Sequence, residues 1–383
     1  MTHPGTSVST SGAQPVRRIA LGAQSFGFGP ASKAVSIATR LREDFPTVEL
    51  VCCADRVSRE YLTREGVWRD GRDIATDDGI EADALAARLG PVDAAVVVLD
   101  PELASFFQAR VPTYFVDSLG FMWGQAFFDQ FPAVREVTRY FVQDAFGAAG
   151  RLGELGIRNV HPVGAIIEPR TSPCHHSPDL VVNLGGLLNI FSEGPVRRYV
   201  DGVMGIVRRM GAGRDTLILT SQRARDTFDA LAASPFPVTS LPHGQALWAF
   251  SQARTVLTSP GLTTLLELVQ SRIPAVPLPP QNMSQALIIA HVAERIGGSP
   301  GIWDFLAANY PLSPGMDEEA GVAMVQDRNA RLLFDAGFVK DYLGVAAAAE
   351  RLGRALPSTL VPSMDGAATI CAAIMRDLEK GAP

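Results

Sequence analysis

The stretch from Thr255 to Gln285 combines side chains that suit an anion with one that suits sugar hydroxyls. Gly261 follows a short apolar run and precedes a predicted helix, so backbone amides at the helix N-terminus are free to bind an anion. The hydroxyls of Thr263 and Thr264 add to that anion site. Glu267 lies one helical turn further on, where it is placed to accept hydrogen bonds from ribose hydroxyls. The pattern therefore indicates a nucleotide-binding turn.

Three amide side chains follow the next predicted strand of the same region. Pro274 begins that strand, and Gln281, Asn282 and Gln285 lie just beyond it. Because ligands bind at the carboxyl ends of parallel strands, we expect these amides at the edge of the same site.

The first glycine-rich turn of the chain runs from Gly22 to Lys33. Its Gly27-Phe-Gly29-Pro-Ala-Ser32 segment departs from the GxGxxG dinucleotide fingerprint, and Asp55 only loosely provides the acidic residue expected after the second strand. The GxxxxGK phosphate loop is also absent, so Lys33 is not a Walker lysine. Two interpretations remain open: a structural turn followed by a solvated lysine, or an acceptor-side turn in which Ser32 and Lys33 face a cleft.

An acid and a hydroxyl end another predicted strand, at Asp117 and Ser118. An aspartate at the carboxyl end of a strand stands where ligands bind, and the nearby Trp123 is able to stack on a planar ring. In the alternative interpretation, Asp117 caps the following helix and Trp123 lies in the core.

Short apolar runs alternate with helical patterns, which predicts parallel sheets covered on both faces. In the first half, the predicted strands are Arg18–Ala23, Val48–Ala54, Ala94–Leu99, Thr113–Asp117 and Arg139–Val142. In the second half, they are Leu180–Leu184, Thr216–Thr220, Pro237–Leu241, Thr255–Thr258 and Ala275–Leu278. The helices predicted between them include Ala31–Arg42, Glu81–Leu89, Pro195–Met210 and Thr264–Ser271. We therefore expect an α/β protein with two doubly wound, Rossmann-like domains facing each other across a cleft.

The domain boundaries follow from these elements and from proline content. We expect a flexible N-terminal tail at residues 1–16, an N-terminal domain at 17–165, a proline-rich linker at 166–178 and a C-terminal domain at 179–316. Residues 317–383 are predicted to form a helical extension whose apolar faces pack on one or both sheets, with helices over Asp317–Phe334, Tyr342–Leu352 and Ala367–Lys380.

The composition of the chain excludes some classes of protein. The 383-residue sequence has 34 Lys and Arg against 40 Asp and Glu, a net charge of −6, and it is 47% apolar and 19% charged. The apolar content excludes wholesale disorder, and the acidic balance argues against a nucleic-acid partner.

The cysteines and histidines show no metal-ligand spacing, so no metal site is expected. With no signal-peptide pattern and no run of 18 apolar residues, we expect a cytoplasmic protein without membrane association. The oligomeric state is left open.

The segment Gly261-x-x-Thr264-x-x-Glu267, followed by Pro274 and Gln281…Gln285, resembles the nucleotide-sugar signature of GT-B glycosyltransferases. The likeness is greatest to the UDP-sugar enzymes that include the lipid II N-acetylglucosaminyltransferases of peptidoglycan synthesis. That family holds its donor mainly in the C-terminal of two Rossmann-like domains. Carried over by position, Gly261 and Thr264 approach the diphosphate, Glu267 holds the ribose, and Gln281 and Gln285 meet the donor sugar.

Two further segments of the C-terminal half correspond to donor-binding positions of that family. His243, within Ser240–Gln245, stands where the family contacts the nucleobase. The Gly185-Gly186 turn corresponds to the glycine loop of the family's second domain.

The N-terminal half departs from the lipid II enzymes, because its first glycine-rich loop contains no histidine. Phe26-Gly27-Phe28-Gly29-Pro30-Ala31-Ser32-Lys33, with Val116-Asp117-Ser118-Leu119 and Trp123, is instead similar to the cytosylglucuronate synthases of peptidyl-nucleoside antibiotic pathways. Those enzymes transfer glucuronate from UDP-glucuronic acid to N1 of cytosine or hydroxymethylcytosine.

The narrower resemblance implies a metal-independent, inverting transfer that needs no cofactor besides the UDP-sugar co-substrate. Asp117 is the expected base for the acceptor proton, because it lies in the acceptor domain at a strand end. The helix N-terminus near Gly261 would stabilise the leaving diphosphate. The acceptor ring would stack on Phe26, Phe28 or Trp123. Lys33 and Arg170 are the candidates for pairing with a glucuronate carboxylate.

Three other functions are compatible with this architecture. A UDP-sugar or other sugar-nucleotide glycosyltransferase acting on another small natural product shares the donor site. A non-hydrolysing sugar-nucleotide epimerase shares the fold, and it would bring more acid and base side chains into the cleft. A two-lobed binding protein also fits, although such proteins are usually exported.

Overall fold

Two parallel β-sheets, built one after the other along the chain, form the framework of the molecule. The computed structural model describes residues 17–76, 81–167, 171–187, 193–296 and 301–381. The first sheet comprises β1 (Arg18–Ala23), β2 (Glu49–Ala54), β3 (Ile74–Ala75), β4 (Ala94–Val98), β5 (Thr113–Asp117), β6 (Arg139–Gln143) and β7 (Val160–Val163). Its strands lie in the order β3-β2-β1-β4-β5-β6-β7, all parallel. We call the part of the chain that carries this sheet the first unit.

The second sheet is smaller and belongs to what we call the second unit. It comprises β8 (Leu180–Asn183), β9 (Thr216–Leu219), β10 (Val238–Thr239), β11 (Thr255–Thr258) and β12 (Ala275–Pro277). Its strands lie in the order β10-β9-β8-β11-β12, also all parallel.

Helices connect the strands, because a parallel pair needs a long crossover connection. In the first unit they are α1 (Gly29–Asp44), α2 (Arg56–Arg64), α3 (Ala82–Leu89), α4 (Pro101–Gln108), α5 (Gln125–Gln130) and α6 (Ala148–Glu154). In the second unit they are α7 (Glu193–Met210), α8 (Gln222–Thr227), α9 (Asp229–Ala232), α10 (His243–Gln252), α11 (Leu262–Ser271), α12 (Met283–Ile296) and α13 (Ile302–Asn309). The chain then continues through α14 (Glu318–Leu332), α15 (Ala336–Leu352) and α16 (Gly366–Glu379).

The inner strands are apolar on both faces, as the continuous apolar runs predict. All five residues of β4 are buried without exposed surface. Each fully buried valine contributes about 1.5–3 kcal/mol relative to an exposed one, so the central strands fix the position of the loops that follow them. In each sheet the strand order reverses next to the first strand, between β1 and β4 and between β8 and β11. Ligand sites in such sheets form at these reversal points.

The predicted elements agree with the observed ones in position. Each strand predicted from the sequence is present, and β1, β5 and β11 have the predicted bounds. Two observed strands were not predicted from the sequence. β3 has only two residues, and β7 contains Pro162, which is atypical of a strand. The predicted linker at 166–178 falls between β7 and β8. The tail predicted at residues 1–16 lies outside the described residues.

The C-terminal helices divide between the two units. α14 and α15 pack against α7 and the helices beside β12, and the Tyr342 hydroxyl donates a hydrogen bond of 3.0 Å to the Pro277 carbonyl. α16 returns to the first unit, where it packs against α1 and β7. Arg139 Nη2 donates to Asp377 Oδ1 across this contact at 2.6 Å. The helical extension thus packs on both units.

Among the helices in the described part of the chain, none combines the length and hydrophobicity that crossing a lipid bilayer requires.

Candidate functional site

A cleft opens between the two units at the carboxyl ends of both sheets. The cavity in it has a volume of about 220 Å³. The first unit lines it with the loop after β1, the start of α1, part of α2 and the starts of the loops after β4 and β5. The second unit lines it with the loops after β8, β11 and β12, the end of β9, the loop between β10 and α10, and parts of α10, α11 and α12. Both strand-order reversals therefore face one shared space. We call this space the donor cavity, after the donor-binding residues that the sequence predicts for it.

The N-terminus of α11 lies where the sequence predicts an anion site. Gly261, Thr263 and Thr264 all line the donor cavity. A Cβ placed on Gly261 would meet no protein atom within 4 Å, so there is open space beside the first turn. The α11 helix has ten residues, enough for its dipole and free amides to attract a phosphate group.

Lys33 approaches this helix from the opposite unit. Its Nζ donates a hydrogen bond of 2.7 Å to the Thr263 hydroxyl, and only 2% of the residue is exposed. Burial lowers the pKa of the Lys33 ammonium to about 8, although the charges of Glu267 and Asp117 act in the opposite direction. The interpretation of Lys33 as a solvated surface residue is therefore wrong. A cation and a helix N-terminus from different units converge at one point of the cleft.

Glu267 and His243 form a buried pair one turn further along the cleft. His243 Nε2 lies 3.0 Å from Glu267 Oε1, and the Glu267 side chain is 3% exposed. Burial alone would lower the pKa of His243, but the charge of Glu267 and its hydrogen bond outweigh that effect and raise the pKa above 6.5. Both side chains line the donor cavity. A carboxylate in this position is able to accept hydrogen bonds from vicinal hydroxyls of a bound ligand.

The amide side chains after β12 have two different roles. Asn282 and Gln285 line the donor cavity, together with Gly185 and Gly186. Gln281 lies behind that lining: its Nε2 donates to Ser259 Oγ at 2.6 Å and to the Gly185 carbonyl at 3.3 Å. In the structure, Gln281 supports the glycine turn from behind, whereas the sequence places it against the donor sugar.

The glycine-rich loop after β1 faces the glycine turn after β8. Gly27 has a φ of +62°, and a Cβ on it would lie 3.4 Å from the Gly186 Cα. The positive φ and the close approach of two backbones explain why a glycine occupies this position. The acceptor-side residues predicted around it line the donor cavity as a group: Phe26, Gly27, Phe28, Ser32, Lys33 and Ser118.

Asp117 lies beneath the floor of the cleft. It has no exposed surface, and it is absent from the linings of the donor cavity and of its larger neighbour. Its carboxylate accepts three hydrogen bonds, from Leu119 N at 2.6 Å, Trp123 Nε1 at 2.9 Å and the Tyr140 hydroxyl at 2.6 Å. Burial raises the Asp117 pKa to about 6, partly opposed by these hydrogen bonds. The carboxylate thus organises the turn after β5 and is not positioned to meet a ligand. It does not cap the following helix, as the alternative interpretation expected, because the N-cap of α5 is Gly124.

Trp123 is buried with this network. Its ring stacks on Phe127 with centroids 4.3 Å apart, and 9% of the residue is exposed. What remains exposed lines a second, larger cavity of about 670 Å³, formed by the first unit and by residues 315–318. We call it the acceptor cavity, after the acceptor-binding role that the sequence predicts for Trp123. The two cavities share four lining residues and are therefore neighbours: Gln24, Phe26, Leu99 and Leu119.

The acceptor cavity combines aromatic and acidic side chains. Its aromatic residues are Phe26, Phe106, Trp123, Phe127 and Phe131, and its acidic residues are Asp55, Asp100, Glu102, Asp317 and Glu318. No lysine or arginine is found among the described residues that line it. The cavity suits a flat ligand that carries hydrogen-bond donors.

Among the acidic residues of the acceptor cavity, Asp100 directly follows Leu99, which lines both cavities. Burial raises its pKa to about 6, with further contributions from the carboxylates of Glu102 and Asp55 against the hydrogen bond from Leu103 N. Asp100 was missed at the sequence level, although it offered the same signal as Asp117: an acid that follows an apolar strand. Arg170, the other candidate partner for a donor carboxylate, lies outside the described residues.

The two facing Rossmann-like units and their shared cleft constitute the GT-B fold, as the sequence predicts. No family model and no curated protein matches the chain. Solved structures match over nearly its whole length. UDP-GlcNAc 2-epimerase from Neisseria meningitidis, bound to UDP-GlcNAc, has a TM-score of 0.55 and 9% identity, covering 94% of this chain and 100% of its own. At such identities the likeness establishes the fold alone.

Two further solved structures show the same architecture. A putative UDP-N-acetylglucosamine 2-epimerase from Listeria monocytogenes has a TM-score of 0.52 and 14% identity, covering 95% of this chain and 97% of its own. A UGT transferase from Siraitia grosvenorii in complex with UDP has a TM-score of 0.50 and 10% identity, covering 94% of this chain and 99% of its own. The chain is similar in fold to both an epimerase and a transferase, so its chemistry has to be inferred from its own residues.

Proposed function

We propose that this protein is a glycosyltransferase that uses a UDP-sugar, inverts the anomeric centre and needs no metal ion. The observation that carries the proposal is the convergence of the Lys33 ammonium and the α11 N-terminus at Thr263. Two positive groups aimed at one point suit a diphosphate, and Glu267 stands one turn away, where a ribose would follow. Such an arrangement stabilises the charge that develops on a leaving nucleoside diphosphate.

The reaction requires one bond to form as another breaks. The acceptor atom attacks the anomeric carbon from the face opposite the diphosphate, the bond from that carbon to the diphosphate oxygen breaks, and UDP departs with the electron pair. The acceptor proton passes to a base of the protein. In this scheme Lys33 and the α11 amides hold the departing diphosphate, and Asn282 and Gln285 contact the sugar.

The finer proposal is transfer of glucuronate from UDP-glucuronic acid to N1 of cytosine or hydroxymethylcytosine. The acceptor cavity supports it, because aromatic walls suit a flat ring and carboxylates suit an exocyclic amine. A different small acceptor with a flat, donor-rich ring would fit the same features. The partner of the glucuronate carboxylate stays a prediction, with Lys33 and Arg170 as its candidates.

We place the base at Asp100 instead of Asp117. Asp100 lines the acceptor cavity next to the shared residues, and a carboxylate whose pKa is raised to about 6 is a stronger base than an ordinary one. Asp100→Asn is a clean test, because asparagine still caps α4 through Leu103 N. We expect turnover to fall about 100-fold or more, with UDP affinity unchanged.

The matched control is Asp117→Asn, which disturbs the buried network. It should lower stability by about 2 kcal/mol, seen in chemical denaturation, because asparagine keeps only one acceptor oxygen and turns an NH2 group toward buried donors. If Asp117→Asn folds with normal stability and loses turnover while Asp100→Asn stays active, the base is Asp117, as the sequence interpretation has it.

An epimerase acting on a UDP-sugar is the second candidate. The specific observation in its favour is the number of carboxylates that line the cavity next to the donor cavity. The two functions differ in their need for an acceptor. Incubation with UDP-GlcNAc or UDP-glucuronic acid alone, followed by NMR of the sugar ring, yields an epimer only in the epimerase case.

The primary experiment measures donor binding and then product. Thermal unfolding of the full chain is followed with UDP, UDP-glucuronic acid and NAD, and a ligand at about 100 times its Kd stabilises by about 2.7 kcal/mol. UDP and UDP-glucuronic acid should raise Tm, and NAD should not. UDP-glucuronic acid plus cytosine should then give a product heavier than cytosine by one glucuronyl group in mass spectrometry. A lack of stabilisation by millimolar UDP would refute the donor site.

A further inference from the structure

Three side chains of the first unit form a compact cluster on the wall of the donor cavity. The Phe28 and Tyr61 rings lie with centroids 5.1 Å apart. The Arg64 guanidinium lies over both, 4.7 Å from the Tyr61 centroid and 5.1 Å from that of Phe28. All three residues line the donor cavity. The proposed transfer reaction assigns no role to Tyr61 or Arg64.

The same cluster reaches the second unit just before α10. Arg64 Nη1 donates to Ser240 Oγ at 3.4 Å. Glu65 Oε1 accepts hydrogen bonds from Arg64 Nε at 3.1 Å and from His243 N at 3.2 Å. The end of α2 is therefore held against the loop between β10 and α10, beside His243 of the donor cavity.

The position of a bound nucleotide follows from the order of groups along the cleft. With a diphosphate at the α11 N-terminus and a ribose at Glu267, the nucleobase lies beyond Glu267, on the side of His243. His243 Nε2 is 3.0 Å from Glu267 Oε1. That end of the donor cavity has an apolar wall in the second unit, formed by Leu219, Leu241, Ala246 and Phe250. An apolar wall of this kind suits one face of a planar ring.

We infer that the nucleobase is bound between the two units, with the Phe28, Tyr61 and Arg64 cluster as its second wall and Arg64 as a determinant of base specificity. The inference rests on the proposed function, since it places a nucleotide in the cleft. The planar guanidinium carries only hydrogen-bond donors, so it suits a base with carbonyl oxygens such as uracil. Adenine has no carbonyl oxygen and offers only ring nitrogens as acceptors, so we expect it to gain less from Arg64 than uracil does. The bound nucleotide then contacts both units at its base, as it does at its diphosphate, where Lys33 lies.

The test measures binding of UDP, ADP and inorganic pyrophosphate to the full chain by calorimetry. Arg64→Ala should weaken UDP binding about 10- to 100-fold, the range of a lost charge-assisted hydrogen bond. ADP and pyrophosphate affinity should change little, so that the preference for UDP over ADP falls. Arg64→Lys keeps the charge and loses the planar group. We expect its UDP affinity to lie between those of the wild type and Arg64→Ala.

Arg110→Ala is the matched control, because Arg110 lies 4.2 Å over the Phe106 ring and is outside the donor cavity. It should leave all three affinities unchanged. Equal UDP affinity in the wild type and both Arg64 variants overturns the inference and leaves the proposed function standing. Equal weakening of UDP and pyrophosphate also overturns it, because Arg64 would then act only as a charge. Failure of the wild type to bind UDP instead refutes the proposed function.

Discussion

Lys33 and Asp100 are the two residues whose protonation should govern turnover. Burial brings the pKa of Asp100 up to about 6 and that of Lys33 down to about 8. Asp100 must be deprotonated to accept a proton, so its contribution is lost as the pH falls through about 6. Lys33 must be protonated to hold a diphosphate, so its contribution is lost as the pH rises through about 8.

We therefore predict a bell-shaped pH profile of kcat/KM with limbs near pH 6 and pH 8. Because kcat/KM reports the free enzyme, it is the right quantity to compare with these pKa values. Asp100→Asn should abolish the acid limb of the residual activity. Lys33→Arg, which keeps its charge at high pH, should abolish the alkaline limb. A profile that stays flat through both pKa values would contradict these assignments.

These two residues also show how far side-chain roles could be predicted. The sequence marked Lys33 as a candidate, but it could not show that the lysine is buried, because Thr263 of the other unit contributes to that burial. Asp100 and Asp117 gave the same local signal. Only tertiary packing distinguishes them, since Tyr140 and Trp123 enclose Asp117, whereas Asp100 lines an open cavity.

At the scale of elements, two glycine turns meet across the cleft. Gly27→Ala places a methyl group on a residue with a φ of +62°, pointing at Gly186. The strained backbone should cost about 1–2 kcal/mol of stability, and the separation of the turns should weaken UDP binding several-fold. Chemical denaturation and calorimetry measure the two effects.

Gly150→Ala serves as the control, because Gly150 lies within α6 and an added Cβ would meet no atom within 4 Å. Alanine there should stabilise by up to about 1 kcal/mol and leave UDP affinity unchanged. If Gly27→Ala behaves in the same way as Gly150→Ala, the close approach of the two turns has no role in binding.

The elements themselves were largely predictable, because buried parallel strands are continuous apolar runs and their helices have a 3.6-residue period. The sequence signal fails at the sheet edges. β3 is too short to show a pattern, and β7 is interrupted by Pro162 and partly exposed. The cleft is lined by loops and by residues of the helices beside them, and their arrangement in space follows only from the sheet topology.

At the scale of the whole molecule, a chain with a net charge of −6 has to attract an anionic donor. Lys33 provides a local positive charge that is 2% exposed and therefore shielded from salt. We predict that UDP affinity changes by less than about threefold between about 50 and about 500 mM NaCl, because salt screens exposed charges far more than buried ones.

Calorimetry at the two salt concentrations checks this prediction. Lys33→Met should weaken UDP binding strongly at both. The exposed Arg208→Ala should have no effect at either. A fall in wild-type affinity of tenfold or more would show instead that an exposed basic surface attracts the donor.

The return of α16 to the first unit also bears on how the protein is made. The ribosome completes β1 to β7 before it starts the second sheet, yet the face of α1 that receives α16 stays uncovered until residues 366–379 emerge. Domains generally fold in the order of their synthesis. Here the unit that is synthesised first is completed last, so its apolar face remains open to chaperones, or to aggregation, throughout synthesis of the second unit.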